Sequence, residues 1–453
     1  MDRRNFIRYS TRFTGAVAGF SALQQLACND DRAPRLNAAS VEGSYGPLVE
    51  AGPELALPVG FQYRVIGVEG TRMSDGNITP SLHDGMCALP LPNGNIRLIR
   101  NHEVTNKPAD GSAFGNQATA YDHRAGGGTT SLEIDAKTRE VVREFASLNG
   151  TYRNCAGGPT PWGSWLSCEE TFAHPDNGFT QVHGYVFEVP ALLEEARPAQ
   201  PLRAMGRFVH EAVAVDPATG IVYETEDSGR AGFYRFLPNR PYSNGDGGDL
   251  TAGGRLQMLA VRDRPRHDLS VGQTVGVAIP VTWVDIKDPD PTDTDNSSAV
   301  FEQGWEAGGA RFVRLEGCWY GNGNIYVAST SGGDRSLGQI WQYRATGVDS
   351  GELTLVFESP SKDVLNMPDN ITVSPRGGIV LCEDGSNDPQ KLRGLTPDGR
   401  IFDLVANIAN PREVAGATFS PDGKTLFFNA QGTPGKIPGM TFAVWGPWER
   451  GAL

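Results

Sequence analysis

The sequence has few histidines, and they form none of the groupings that mark an imidazole-rich metal site. Only 7 histidines occur in 453 residues, without an HxH or HExxH pattern. A zinc site built mainly from imidazole is therefore disfavoured, whereas calcium with oxygen ligands, or iron with mixed oxygen and thiolate ligands, fits the sequence better.

The sequence also lacks a GxSxG elbow, a complete P-loop and a GxGxxG fingerprint followed by an acidic residue. Their absence argues against the enzyme classes that use them.

Positive charge is also scarce. The chain has 40 lysines and arginines against 53 aspartates and glutamates, a net charge of −13. Without residues 1–27, which hold four arginines and one aspartate, the rest of the chain carries about −16. We therefore expect neither nucleic acid nor an anionic membrane surface as a partner. No apolar run after residue 27 is long enough to span a membrane, so the mature chain is expected to lack a transmembrane segment.

The first 27 residues have the pattern of an export signal. The pair Arg3-Arg4 precedes a weakly apolar stretch over residues 13–27, as in twin-arginine signal peptides. We therefore expect the twin-arginine translocase to export the folded chain to the periplasm or the exterior. A lipid anchor at Cys28 is the less favoured alternative, because Gln25 stands where a lipobox prefers an aliphatic residue.

Cysteines are few, and one of them ends a distinctive segment. Six cysteines occur, and five remain if Cys28 is removed or lipidated. An odd number in an exported protein leaves at least one thiol unpaired. The stretch GGPTPWGSWLSCEE over residues 157–170 ends in Cys168, Glu169 and Glu170. Burying these groups without a cation is unfavourable, so they are either solvated residues at a strand end or part of a metal site.

A repeated hairpin dominates the rest of the chain. Glycine (56) and proline (31) are abundant, and apolar strands flank turns made of Pro, Asp, Asn and Gly. Six such turns occur, at residues 92–95, 160–163, 216–220, 321–324, 374–377 and 420–423. Each is followed by a second and a third strand of similar outline, which predicts an all-β fold, a six-bladed β-propeller. A large sandwich or two all-β domains is the alternative.

We expect three regions along the chain. These are a signal peptide at residues 1–27, an N-terminal extension at 28–59 and the propeller at 60–450. The interval between the third and fourth turns, about residues 240–312, is rich in Gly, Pro and Asp. Its closely spaced acids are Asp288, Asp290, Asp293 and Asp295. The segment lacks the central Gly and closing Glu of an EF-hand, so a solvated surface insertion is predicted rather than a calcium loop.

Acidic residues recur at one end of the predicted strands. Because the innermost strand of a propeller blade pairs antiparallel with the second strand, first-strand starts and second-strand ends lie at one mouth of the channel. The first-strand starts carry His83-Asp84, His210-Glu211, Arg314 with Glu316, Asp369-Asn370 and Glu413. The second-strand ends carry Asn101-His102-Glu103, Cys168-Glu169-Glu170, Glu226-Asp227, Thr330-Ser331, Glu383-Asp384 and Asn429-Gln431. So many like charges repel unless cations are bound, which predicts a multinuclear, oxygen-dominated metal site with one thiolate.

Arg314 stands out among these acids because its charge is positive. Its guanidinium is either a salt-bridge partner for the carboxylates or a ligand for a phosphoryl group, whose oxygens match the planar fork. Asn101 offers a further hydrogen-bond donor at the same mouth.

Several segments resemble those of the PhoX family of alkaline phosphatases, which are bacterial enzymes exported by the twin-arginine route. The similar segments occur in order: HDGM at His83, RNHE at Arg100, residues 157–170, FVHEAVAVDP at Phe208, TEDSG at Thr225, RFVRLEG at Arg311, PDN at Pro368 and GATFSPDGKTLFFNAQ at Gly416. The resemblance implies a six-bladed propeller with an iron pair and calcium ions at the channel, which hydrolyses phosphate esters. It also implies that Cys168 is an iron ligand and that Arg314 and Asn101 bind the substrate phosphate. The further metal carboxylates that we expect are Glu211, Glu226, Glu316, Glu103, Asp369, Asp384 and Glu169.

Two other functions remain open. A calcium-dependent propeller lactonase or esterase shares the architecture but needs neither the thiol nor Arg314. A non-catalytic periplasmic binding propeller would turn over neither phosphate esters nor lactones. Calcium without iron would favour the first, and inactivity of the metal-loaded protein would favour the second.

Overall fold

The structure is a computed structural model that describes residues 41–105, 114–243, 245, 247–292, 295–386 and 389–453. The expected signal peptide, Cys28 and Asp293 lie outside the described residues. Within the described ranges no helix has the length and apolar character needed to cross a membrane.

The described strands are arranged as six antiparallel units in chain order. Three strands come first: β1 (Leu48–Glu50), β2 (Leu55–Pro58) and β3 (Gln62–Val68). Unit 1 contains β4 (His83–Pro90), β5 (Ile96–His102), β6 (Gly127–Ile134) and β7 (Val141–Thr151), and unit 2 contains β8 (Asn154–Pro159), β9 (Ser164–Glu169) and β10 (Val186–Pro190). Unit 3 contains β11 (His210–Val215), β12 (Val222–Glu226), β13 (Phe233–Pro238) and β14 (Gly254–Val261), followed by β15 (Ala278–Asp285) and the helix α1 (Ala299–Glu306).

The remaining three units follow the same order. Unit 4 contains β16 (Leu315–Gly321), β17 (Asn324–Ser329), β18 (Gln339–Gly347) and β19 (Ser350–Glu358). Unit 5 contains β20 (Pro368–Val373), β21 (Ile379–Glu383), β22 (Gln390–Leu395) and β23 (Ile401–Asn407), and unit 6 contains β24 (Val414–Phe419), β25 (Thr425–Ala430) and β26 (Met440–Trp445). All six predicted turns lie between the first and second strands of their units.

The innermost strands form a closed ring. Strands β4, β8, β11, β16, β20 and β24 contact one another in that order, and β24 also contacts β4. Strand β3 pairs with β26 as the fourth strand of unit 6, and β2 pairs with β23 at the outer edge of unit 5. A strand from the N-terminal side therefore completes the last unit. The prediction of an all-β propeller is confirmed.

The apolar core lies between neighbouring units. One cluster combines Val186 of unit 2 with Val213 and Tyr234 of unit 3, and another combines Met86 of unit 1 with Phe427 of unit 6. Neighbouring units therefore cover both faces of each sheet. Strand β5, for example, is buried along its whole length. Some buried charges are paired within a unit, as Arg100 of β5 is with Glu144 of β7 at 2.8 Å.

The segment predicted as a solvated insertion contributes to the core. Strand β14 completes unit 3, and its residues Leu256 and Met258 are buried. Strand β15 pairs with both β14 and β19, so it joins the outer edges of units 3 and 4. Asp290 accepts a hydrogen bond from the Tyr185 hydroxyl at 2.6 Å and lies 3.2 Å from Arg203 Nη1. This carboxylate therefore serves as an ion-pair partner. The Gly, Pro and Asp content of the segment hid the apolar residues of β14, where Leu256 to Val261 are buried.

Candidate metal and active site

Each innermost strand has a β-bulge near its start. Its register with the second strand shifts at His83/Met86, Asn154/Gly157, His210/Val213, Leu315/Cys318, Pro368/Ile371 and Ala415/Thr418. A bulge leaves residues out of the ladder and re-aims their side chains. The first bulged residue of units 1 to 5 is polar, and we name these five residues the inner ring: Asp84, Cys155, Glu211, Glu316 and Asp369. In unit 6 the corresponding residue is Gly416.

The inner ring brings ligand atoms from separate strands together. One carboxylate oxygen each from Glu211, Glu316 and Asp369 lie within 4.8 Å of one another. The Cys155 thiol forms a second group of this kind with Glu211 and Glu170. Glu211 belongs to both groups. Two adjoining positions that could hold metal ions therefore share one carboxylate.

Small residues allow this convergence. The residue after each inner-ring member lines a central cavity, and in units 1 to 5 these residues are Gly85, Ala156, Ala212, Gly317 and Asn370. A Cβ at Gly317 would lie 2.5 Å from the backbone oxygen of Asp369 on the next innermost strand. Glycine is needed there because the two backbones approach too closely for a side chain.

The structure places Cys155, rather than Cys168, among the carboxylates. Cys168 lies inside β9 in the apolar cluster between units 2 and 3 and is fully buried. Its partner across the ladder is Val186. The signal for Cys155 was present in the sequence, because Asn154-Cys155-Ala156 takes the place in unit 2 that His83-Asp84-Gly85 takes in unit 1. The prediction of Cys168 rested on the end of the second strand of unit 2, whereas Cys155 lies at the start of the first strand.

A second set of acids directly follows the second strands of four units. We name these residues the outer ring: Glu103, Glu170, Asp227 and Asp384. In unit 4 the corresponding residue is Thr330. Glu170 belongs to the group with Cys155 and Glu211, so the two rings meet at unit 2.

Glu169, which was predicted as a metal ligand, instead accepts hydrogen bonds from other groups of the protein. Its carboxylate accepts hydrogen bonds from the backbone amides of Tyr152 and Gly184, both at 2.8 Å, and lies 2.7 Å from His183 Nδ1. Burial alone would lower the pKa of His183, but Glu169 and a second carboxylate raise it to about 9. Glu169 thus forms a buried ion pair beside the channel, and the next residue, Glu170, takes the position at the mouth.

Glu226 is the corresponding residue in unit 3: it ends the second strand, and the next residue lies at the mouth. Its carboxyl group accepts hydrogen bonds from the Gly232 amide at 2.9 Å and from the Tyr234 hydroxyl at 2.8 Å. Burial raises the pKa of Glu226 to about 8. Because successive strand residues face opposite sides, the last residue of the second strand is turned away and the following one, Asp227, reaches the mouth.

Two arginines lie between the carboxylates of the rings. Arg314 Nε donates to Asp227 Oδ1 at 3.0 Å, and its Nη2 donates to Glu316. Arg153, which the sequence analysis did not single out, places Nε 2.9 Å from Glu103 Oε1 and 3.1 Å from Glu170 Oε2. Both arginine side chains remain partly exposed, at 32% for Arg314 and 40% for Arg153.

Asn101 has no free hydrogen-bonding group for a substrate in this structure. Its Nδ2 donates to the backbone oxygens of Cys155 at 3.1 Å and Ala156 at 2.7 Å. Its Oδ1 accepts from Trp165 Nε1 and from the Ser167 hydroxyl, both at 2.9 Å. Two donors and two lone pairs are the full capacity of an amide side chain. Asn101 therefore holds the bulge that carries Cys155.

The carboxylates of both rings are held in unfavourable surroundings for negative charge. Burial raises the pKa of Glu211, and the charges of Glu316 and Asp369 raise it further. Burial and the charge of Asp384 raise the pKa of Asp369 to about 8, although Arg314 opposes this. Glu211 is 2% exposed. Buried, mutually repelling carboxylates with an adjacent thiol are the donor set expected of a metal site.

Comparisons with known proteins show the family and the fold of the chain. The sequence model described as "Alkaline phosphatase PhoX" matches residues 43–435. Among solved structures, PhoX of Pseudomonas fluorescens in complex with vanadate, a transition state analogue, superposes with a TM-score of 0.68 at 17% identity, over 90% of this chain and 98% of that chain.

A gluconolactonase of Xanthomonas campestris, XC5397, reaches a TM-score of 0.41 at 10% identity, over 88% of this chain and 99% of that one. A search of the curated proteins found no match. The family match covers most of the chain and includes both rings. The chain therefore belongs to the alkaline phosphatase PhoX family and is a phosphoric ester hydrolase.

Proposed function

We propose that the inner and outer rings bind a cluster of metal ions and that phosphate esters are hydrolysed there, at the mouth of the propeller channel. The observation that carries the proposal is the repeated bulge, which brings five potential ligands from five units to one place. A repeat that evolved only for packing does not need a potential ligand at five of its six bulges.

The donor atoms favour iron at one position and calcium at the other. The group of Cys155, Glu170 and Glu211 combines a thiol with carboxylates, a mixed set that suits iron. The group of Glu211, Glu316 and Asp369 offers only oxygen, which suits calcium. Cys155 thus takes the role that the sequence analysis gave to Cys168.

Two of the remaining expected ligands, Glu103 and Asp384, belong to the outer ring. Asp84, which was not among the expected ligands, completes the inner ring. Glu170 and Asp227 replace Glu169 and Glu226, whose carboxyl groups are already hydrogen-bonded inside the protein.

Arg314 is the group in this chain that would hold the transferring phosphate. Two of its nitrogens are used by Asp227 and Glu316, and Nη1 has no hydrogen-bond partner among the described residues. A guanidinium fixed in this way can donate to phosphoryl oxygens without losing further rotamer freedom. Metal ions, when bound, supply charge neutralisation and Lewis acidity at the same phosphoryl group.

We also propose that the chain is exported by the twin-arginine translocase and acts in the periplasm or outside the cell. The pattern of residues 1–27 supports this location.

The direct test compares Glu211→Gln with the wild-type protein, each purified from its native compartment. Glu211 is shared by both ligand groups, so the variant is expected to lose iron and calcium together and to lose phosphomonoester hydrolysis. Glu352→Gln, on the outer strand β19, is the control and should keep both. Calcium without iron in the wild type, with lactone but not phosphate turnover, would refute the proposal. So would a metal-loaded wild type with no turnover of either substrate.

A further inference from the structure

Arg153 and Arg314 occupy equivalent positions in the repeat. Arg153 directly precedes β8, and Arg314 directly precedes β16. The next residue but one in each strand is an inner-ring member, Cys155 in unit 2 and Glu316 in unit 4. The two arginines therefore enter the mouth from units 2 and 4, on either side of Glu211 in unit 3.

Both arginines have an uncommon backbone conformation. The φ angle is 55° at Arg153 and 42° at Arg314, within the left-handed region that residues with a Cβ seldom adopt. Leu82 and Met367, at the same position in units 1 and 5, share it with φ angles of 51° and 56°. The conformation therefore belongs to the fold at this position, and it is tolerated at functional sites where the surroundings enforce it. In units 2 and 4 this position is occupied by an arginine.

Each arginine lies beside one of the two ligand groups. Arg153 Nε is 3.1 Å from Glu170 Oε2, which belongs to the group with the thiol. Arg314 contacts Glu316, which belongs to the all-oxygen group. Glu170 and Asp227 lie close to each other, so a series of carboxyl groups lies between the two guanidinium groups.

Arg153 retains donors for a ligand. Only its Nε takes part in hydrogen bonds and ion pairs with the described residues, and its side chain is 40% exposed although Glu170 is 7% exposed. Its two terminal nitrogens, Nη1 and Nη2, are therefore available to donate hydrogen bonds to a ligand at the channel mouth. Arginine pairs with a phosphoryl group through two parallel hydrogen bonds.

We propose that Arg153 is a second phosphate-binding residue, which with Arg314 holds the phosphoryl group from opposite sides of Glu211. The inference rests on the proposed function, since it assumes that the phosphoryl group sits over the two ligand groups. It also specifies the substrate class. A dianionic phosphomonoester presents enough terminal oxygens for both arginines, whereas a diester has one negative charge and fewer free oxygens.

The test uses Arg153→Gln and Arg153→Lys in the full-length, metal-loaded protein. For Arg153→Gln we expect unchanged metal content, and KM for p-nitrophenyl phosphate and the dissociation constant for inorganic phosphate each about 10- to 100-fold higher, as for loss of a charge-assisted hydrogen bond. Arg153→Lys should recover part of the loss. Hydrolysis of bis(p-nitrophenyl) phosphate should fall less than that of the monoester. Arg344→Gln, on the outer strand β18, is the matched control and should leave all four quantities unchanged.

The outcomes separate the inference from the proposed function. If the wild type hydrolyses the monoester and Arg153→Gln binds inorganic phosphate as tightly as the wild type, Arg153 does not bind substrate and the inference is wrong. If Arg153→Gln loses metal and Arg153→Lys restores metal together with wild-type phosphate affinity, Arg153 only holds Glu103 and Glu170, which also overturns it. Absence of turnover in the metal-loaded wild type would instead refute the proposed function.

Discussion

The thiol of Cys155 and the carboxylate of Glu211 lie within 4.8 Å of each other although they belong to different units of the propeller. Each is the first bulged residue of its innermost strand, β8 or β11. The same local distortion in adjacent units therefore brings a soft and a hard ligand atom together. Iron selectivity would arise at this one pair, since the other inner-ring residues are carboxylates.

The two cysteines of unit 2 give a sharp prediction. Cys155→Ala should abolish iron binding and reduce phosphomonoester hydrolysis by at least about 100-fold, because a metal ligand is removed. Cys168→Ala should keep iron and activity and lose only stability, by about 1 kcal/mol for a small buried side chain. Iron content and activity of the two purified variants, with denaturant unfolding, provide the measurement. Loss of iron in Cys168→Ala but not in Cys155→Ala would reverse the assignment.

The neighbouring residues Glu226 and Asp227 give a second matched pair. Glu226→Gln should change activity little, because burial raises the pKa of Glu226 to about 8 and a neutral amide can accept the same bonds from Gly232 and Tyr234. Asp227→Asn removes the charged partner of Arg314, so KM should rise by about 10-fold as the guanidinium loses its fixed orientation. Steady-state kinetics with p-nitrophenyl phosphate distinguishes them. A larger defect in Glu226→Gln than in Asp227→Asn would show that the earlier, strand-end assignment was right.

The two cysteines and the pair Glu226 and Asp227 also show which features of the fold and the site could be predicted from the sequence. The hairpin turns follow local backbone rules, so the all-β propeller and the mouth that carries the acids were predictable. A bulge is recognisable only when units are compared, as for Asn154-Cys155-Ala156 and His83-Asp84-Gly85, and a single inserted residue changes which side chain faces the channel. The sequence therefore located the mouth and predicted Glu211, Glu316 and Asp369 at the strand starts, but it predicted Cys168, Glu169 and Glu226 as ligands where the structure places Cys155, Glu170 and Asp227 at the mouth. The phosphate-binding role predicted for Asn101 took no account of its four hydrogen-bond partners, which come from segments distant in sequence.

Metal binding should depend on pH in a definite direction. Burial and Asp384 raise the pKa of Asp369 to about 8, above its ordinary value of about 3.9. A carboxyl group with a raised pKa in the folded state binds its proton more tightly there than in the unfolded chain. The metal-free protein should therefore lose stability as pH rises from about 4 to about 8 and level off above that. Metal ions compete with these protons, so their stabilising effect should grow over the same interval.

Thermal unfolding with and without a chelator, at about pH 5.5 and about pH 8.5, checks this linkage. The difference in Tm between metal-loaded and chelated protein should be larger at the higher pH. Chelated protein that gains stability toward the higher pH would contradict the raised pKa of the ring carboxylates.

The central claim is that Cys155, in the bulge of the innermost strand β8, and not Cys168, in the second strand β9, supplies the thiol ligand beside Glu211. Anomalous diffraction at the iron absorption edge, from crystals of the protein purified from its native compartment, tests it most directly. We predict a peak at the channel mouth within bonding distance of Cys155 Sγ and of the Glu211 carboxylate. A peak beside Cys168, or none at the mouth in protein that is active, would contradict the account.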